Sequence, residues 1–215
     1  MTYKLYSSPG TGSACVQAAL TEIGAPFELI AVDYDGGDLQ SDWFTKINPR
    51  QQLPTLQLRD GSIMTESAAI LLHLADAHPE AGLAPKPGTA ERAQTNRWLL
   101  FAATNLYEGE LRRGYADRYS TDPSHASGIE AAATEYARRH YRMLEEEIGE
   151  GPYLFGADFG IVDIYVWMLM NWFEDPVWMR AEIPNLVRMA ESIMARPNLA
   201  PVHIAHFGEG LGGSE

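Results

Sequence analysis

The sequence predicts a small α/β unit followed by an all-helical one. Three observations carry this prediction: strand-like segments lie only in the first third of the chain, residues 80–90 concentrate proline and glycine, and beyond them apolar residues recur at helical spacing alone. With 215 residues and 46% hydrophobic composition, the chain has ample material for a packed core.

Residues 3 to 8 read as a short strand. A turn rich in glycine and hydroxyls, SPGTGS, follows it, and Val16, Ala19, Leu20 and Ile23 then repeat at helical spacing until Gly24 and Pro26 stop the helix. FELIAVD (Phe27 to Asp33) is apolar on both faces, which predicts a strand buried on both sides and joined to the first by a βαβ crossover. After the polar segment DYDGGDLQSDWFTKINPRQQ, Leu56 and Leu58 alternate with polar residues, Asp60-Gly61 turns the chain, and Ser62 to Met64 returns as a β-hairpin. SAAILLHLADAHPE places Ile70, Leu71 and Leu74 on one helical face and stops at Pro79. Residues 1–79 thus run βαβ then ββα.

EAGLAPKPGTA, residues 80–90, reads as a linker. In the second unit, residues 91–215, helices are expected over roughly 91–119, 127–148, 161–173 and 184–195. The closing GEGLGGSE is expected to fray.

Charge and cysteine content narrow the function classes. A formal net charge of −13 and a pI near 4.8 argue against nucleic acid or an anionic membrane as a partner. The opening MTYKLYSSPG has no apolar run after a basic start, and no later stretch is apolar over the length a bilayer needs. Cys15 is the single cysteine, so intrachain disulfides, CxxC pairs and Cys-rich zinc sites are excluded, and a reducing cytoplasm fits. With six scattered histidines and no HExxH, EF-hand, P-loop or GxGxxG, neither a metal nor a nucleotide is expected.

Three places have the residue types for chemistry. Glu66-Ser67 opens a helix after a strand, where amides and a hydroxyl suit a carboxylate and Glu66 suits an amine; helix capping by Thr65 or Ser67 explains the same residues. Leu53-Pro54-Thr55 starts a strand. A trans proline there is structural, whereas a cis bond would leave the Leu53 N–H and C=O free for an extended peptide. The opening turn carries Ser7, Ser8, Thr11 and Ser13, and a hydroxyl beside a helix N-terminus lowers a thiol pKa by stabilising the thiolate.

In order and spacing, LYSSPG…ALTEIGAPFELIAVD, NPRQQLPTL, TESAAILLHLAD and, in the helical half, YLFGADFGIVDIYV resemble a cytosolic glutathione transferase. The resemblance spans about residues 3–200 and implies a thioredoxin-like N-terminal domain, with glutathione as co-substrate, a small-molecule electrophile as partner and a homodimer. It implies that Pro54 is cis, that Leu53 pairs its backbone with the cysteinyl part of glutathione, that Glu66 and Ser67 hold the γ-glutamyl end, and that Gln52 lies near the glycyl carboxylate.

The opening departs from the bacterial pattern LYxSPGxCS, because Gly12 stands where that pattern has cysteine. Cys15 falls one turn into the helix, where a small buried residue is expected. Ser13 matches the serine of bacterial glutathione-dependent β-etherases, whose later segment resembles SDWFTKINPR, and Thr11 takes the serine position when the strand is aligned instead. The catalytic hydroxyl the resemblance implies is therefore Ser13 first and Thr11 second. Gly160 replaces the hydroxyl residue of the family's capping box while Asp163 remains, able to reach back to the Gly160 N–H. Tyr107, Arg112 and Tyr115 are the expected wall of the electrophile site, with Tyr107 near the position of an active-site histidine in bacterial relatives; Trp167 and Trp172 are expected in the core.

Overall fold

In β1 (Tyr3–Ser7) the side chains alternate between two apolar clusters, Tyr3 and Leu5 on one face and Tyr6 on the other. The computed structural model describes residues 2–149, 151–173 and 175–213. After β1 come α1 (Ser13–Ile23), β2 (Phe27–Ala31), α2 (Asp42–Ile47), β3 (Thr55–Gln57), β4 (Ile63–Met64) and α3 (Ser67–Ala77). The sheet order is β2-β1-β3-β4, with β1 parallel to β2 and antiparallel to β3, and β3 antiparallel to β4. This is the βαβ–ββα arrangement expected. Gly24 ends α1 in the left-handed region, φ 70°, and its N–H bonds the Leu20 and Thr21 carbonyls.

β2 is not buried on both sides: it is the edge strand, and Leu29 is 49% exposed opposite Leu5. Its apolar residues pack only partly on each face, with half-buried Phe27 on the main core and half-buried Ile30 on the smaller cluster. The polar segment, in turn, contains a helix. Ser41 caps α2 by accepting from the Phe44 N–H at 3.3 Å, and Phe44 closes the far face of the sheet with Tyr6, Val32, Leu39 and Leu53.

The second half is helical: α4 (Ala90–Phe101), α5 (Glu108–Gly114), α6 (Ala126–Ile148), α7 (Ile161–Met170), α8 (Pro176–Glu182), α9 (Pro184–Met194) and α10 (Ala200–Phe207). The single helix expected over 91–119 is interrupted, since Ala102–Tyr107 widens into a π turn and Ala116–Tyr119 tightens into a 3-10 turn. α8 and α10 went unpredicted because each is short. Pro176 and Pro184 stand at the first positions of their helices, where a missing N–H costs nothing.

Every residue of α7 is buried, and it packs against α1, α3, α4 and α9, so one core runs from Leu5 and Leu20 to Trp167 and Ile193. The Asp163 carboxylate accepts from the Gly160 and Leu154 N–H groups, both at 2.8 Å. Burial pushes its pKa up to about 7 in spite of those two donors. The Leu83 carbonyl, from the linker, accepts from the Ile161 N–H at 2.9 Å and so serves the helix start from outside.

The tail does not fray through residue 212. Leu211 is buried, and His203 Nε2–H donates to the Gly210 carbonyl at 3.1 Å. Residues 214–215 of the expected frayed segment lie outside the described residues. Among the described residues no helix is long and apolar enough to cross a membrane.

Candidate functional site

The opening turn hydrogen-bonds mainly to itself. Thr11 Oγ1 donates to the Ser8 carbonyl at 2.7 Å, and Ser13 Oγ lies 2.7 Å from both Thr11 Oγ1 and Ser7 Oγ. Ser13 is wholly buried, so the hydroxyl expected to face a ligand is turned into the fold, and Thr11 is half-buried with its proton committed. Cys15 is also wholly buried. Its thiol points at the Gly12 carbonyl, 3.2 Å away, and burial raises its pKa, which makes it a core residue and not a nucleophile.

The loop before β3 is organised by Asn48, which sequence reasoning passed over. Its buried Nδ2 donates to the Gln52 carbonyl at 2.8 Å and to Thr55 Oγ1 at 2.9 Å, while Oδ1 accepts from the Arg50 N–H at 3.0 Å. Within this loop the Leu53–Pro54 peptide is cis, and Gln52 is exposed. Among the described residues the Leu53 N–H and C=O enter no hydrogen bond. A backbone segment fixed in place but left unpaired is suited to pairing with an extended ligand.

Glu66 precedes α3 with φ 65°, a region a non-glycine residue rarely adopts. Its exposed carboxylate pairs with Arg50 at 2.7 Å, and no side chain caps the helix. The first-turn amides of α3 are thus available to an anion. The Ser67 hydroxyl donates inward to the Tyr165 hydroxyl at 3.2 Å, so at this position the backbone, more than the side chain, faces outward.

Gly12 connects these parts. A Cβ on residue 12 would stand 3.0 Å from Pro54 Cδ, 3.0 Å from the Tyr107 hydroxyl oxygen and 3.4 Å from the Leu53 carbonyl oxygen. The head of α1, the Leu53–Pro54 loop and the helical half therefore meet at one point. Tyr107 stacks on Tyr165, with ring centroids 6.2 Å apart, and meets Trp172 edge-on at 5.1 Å. Tyr115 reaches across from the end of α5 to Tyr34, hydroxyl to hydroxyl, at 3.0 Å; that bond, with partial burial, pushes the Tyr115 phenol up to about 12.

Arg112 does not join the two tyrosines. Its guanidinium lies over the Tyr136 ring of α6 at 5.4 Å. It lies five positions after Tyr107, which on an ordinary helix turns the two side chains about 140° apart. Trp167 is in the core as expected, but Trp172 is half-buried at the junction of the two halves, where its indole N–H donates to the Gly10 carbonyl at 2.8 Å. Arg113 binds the Trp172 carbonyl from α5. Tyr34, Tyr165 and Trp172 carried no pattern in the sequence that set them apart from ordinary aromatics.

Comparison with known proteins bears on the family and the fold. Residues 1–76 match the family model for the glutathione S-transferase N-terminal domain, and residues 98–202 match that for the C-terminal domain. The chain is 30% identical over 200 residues to the uncharacterized GST-like protein YncG of Escherichia coli K12, covering 93% of this chain and 96% of that protein. A solved glutathione transferase homologue from Sulfitobacter with bound glutathione superposes with a TM-score of 0.86 at 28% identity, over 96% of this chain and 99% of that one. A sphingomonad glutathione S-transferase complexed with glutathione gives 0.78 at 30% identity, over 94% and 98%. The two domain matches, the near full-length relatives and the shared architecture agree, and the chain belongs to the glutathione S-transferase family.

Proposed function

We propose that this protein is a glutathione transferase that binds reduced glutathione along Leu53, stabilises its thiolate at the head of α1, and adds it to a hydrophobic aromatic electrophile. The observation that carries this reading is the unpaired Leu53 backbone, which lies beside Gly12 and Tyr107. Glutathione is a short extended peptide with a carboxylate at each end. In this reading Leu53 pairs with its middle, Glu66 and the first amides of α3 take the γ-glutamyl end, and the exposed Gln52 takes the glycyl end.

Pro54 shapes the loop, and the Ser67 hydroxyl braces α3 against Tyr165. Ser13 and Thr11 hold the opening turn in shape, and the positive end of the α1 dipole behind it favours a thiolate. Tyr107, Tyr115 and Trp172 form the aromatic wall on which the electrophile rests, and Arg112 supports α5 from the side of α6. Rate enhancement comes from a lowered thiol pKa and from proximity. The carbon–sulfur bond forms as the electrophile's leaving group departs with its bonding pair. We also place the protein in the cytoplasm as a homodimer.

The test is calorimetric titration with reduced glutathione, with thiolate formation followed by ultraviolet absorbance across pH. Activated aryl halides and a β-aryl ether then serve as electrophiles. Stoichiometric binding with a thiol pKa below the unperturbed value of about 8.5 is expected. Binding without a shift would make the protein a non-catalytic glutathione holder, and absence of binding would overturn the reading. Turnover of the aryl ether in preference to the halides would assign ether cleavage, and native mass measurement tests the dimer.

A further inference from the structure

The hydroxyls of the opening turn that bond within it, Ser7, Thr11 and Ser13, leave no free proton aimed outward. Residue 12 has no side chain, and its backbone is buried. What covers Gly12 is a phenol from the other half of the molecule: Tyr107 places its hydroxyl oxygen 3.0 Å from where a residue-12 Cβ would be. Among the described residues that hydroxyl makes no hydrogen bond. The hydroxyls of Tyr34, Tyr136 and Tyr165 are each engaged, whereas this one, like that of Tyr141 in the core, is held in place without a partner.

The holding is specific. Tyr107 ends the π turn of residues 102–107, a local widening of the helix that changes the direction of the side chains after it. Its ring is clamped between Tyr165, stacked at an interplanar angle of 27°, and Trp172, edge-on at 76°. Tyr165 is itself fixed to Ser67 and Trp172 to Gly10, so the clamp is anchored at both helix starts of the candidate site. The absence of a side chain at residue 12 gives the hydroxyl its room, since a Cβ there would crowd both it and Pro54 Cδ at 3.0 Å.

We propose that the Tyr107 hydroxyl is the hydrogen-bond donor that faces the reacting thiol, so that the helical half, in place of the opening turn, supplies the side chain that stabilises the thiolate. This rests on the reading that glutathione lies along Leu53. The thiol proton leaves to solvent, Tyr107 keeps its own and donates it in a hydrogen bond to sulfur, and the thiolate attacks. Burial raises the phenol's pKa, which keeps it protonated at the pH where the thiolate forms. Tyr107 is then a catalytic residue and not merely part of the electrophile wall.

The experiment compares wild type with Tyr107→Phe, which keeps the ring and its packing, and carries Ser8→Ala and Thr11→Ala alongside. For each, glutathione affinity is measured by calorimetry and the pKa of the bound thiol by ultraviolet titration. Removing a hydrogen bond to a charged group is expected to raise the bound thiol pKa in Tyr107→Phe by about one to two units. Affinity for glutathione at low pH, where the thiol is protonated in both proteins, should stay within about threefold, a change worth under one kcal/mol. The proposal is overturned if the pKa is unchanged in Tyr107→Phe, if Ser8→Ala or Thr11→Ala raises it instead, or if Tyr107→Phe abolishes binding. Wild type that fails to bind glutathione overturns the underlying reading and this proposal together, whereas wild-type binding with a lowered pKa that Tyr107→Phe leaves intact sinks this proposal alone.

Discussion

The Trp172 indole N–H donates to the Gly10 carbonyl at 2.8 Å, a hydrogen bond between residues 162 positions apart that ties the turn after α7 to the turn before α1. It fixes the opening turn from the helical side and steadies the ring against which Tyr107 leans. Trp172→Phe keeps an aromatic ring and loses the donor. The net loss of one hydrogen bond, about 1 kcal/mol, should lower Tm by about 2–4 °C in a chain of this size. A thermal scan in which Tm is unchanged would show that the bond does not hold the halves together.

Gly160 gives a case where capping rules and tertiary structure disagree. By propensity, Gly160→Ser improves the α7 cap by a few tenths of a kcal/mol. In the fold, a Cβ there would stand 2.9 Å from the Leu83 carbonyl oxygen, the same oxygen that accepts from Ile161 N–H. The substitution should therefore destabilise by about 1–3 kcal/mol, the usual range for overpacking. Urea unfolding measures it directly, and a rise in the midpoint would contradict this account.

Cys15 should be silent in the native protein. It is wholly buried and its pKa is raised, so it offers neither access nor thiolate to a reagent. A colorimetric thiol titration should register almost nothing under native conditions and one thiol per chain in denaturant. Prompt reaction in the folded state would mean that α1 opens locally far more easily than its packing implies.

Asp163 makes stability depend on pH with a definite sign. Its folded pKa, about 7, lies above the ordinary 3.8, so between those values the folded state holds the extra proton. The stability linked to this group is complete below about 3.8, is lost as pH rises through 7, and is flat above. Asp163→Asn removes that dependence and leaves one of the two N–H donors poorly matched, costing about 1–3 kcal/mol. Denaturation of both proteins across pH should show the advantage of wild type shrinking from acid to neutral. An advantage that grows instead would reverse the assignment.

Much of this protein is determined by its sequence alone. The order βαβ, ββα and helices follows from short-range physics: apolar period, a glycine at the end of α1, a hairpin turn at Asp60-Gly61 and the prolines that stop helices. So does the location of the Leu53–Pro54 loop and of the Glu66-Ser67 helix start, because turn chemistry and helix starts are local. What only the tertiary structure decided is which groups meet. Ser13 and Thr11 are equivalent hydroxyls in the sequence, yet one is sealed in the fold and the other is half-buried. Leu29 looks like a buried strand residue and lies on an edge. Gly12 reads as a loss, and only the packing of α7 against α1 and the π turn of residues 102–107 bring Tyr107 over it. Contacts between residues so far apart in the chain leave no period or spacing to read, since they depend on how completed elements pack and not on the local pattern that forms them.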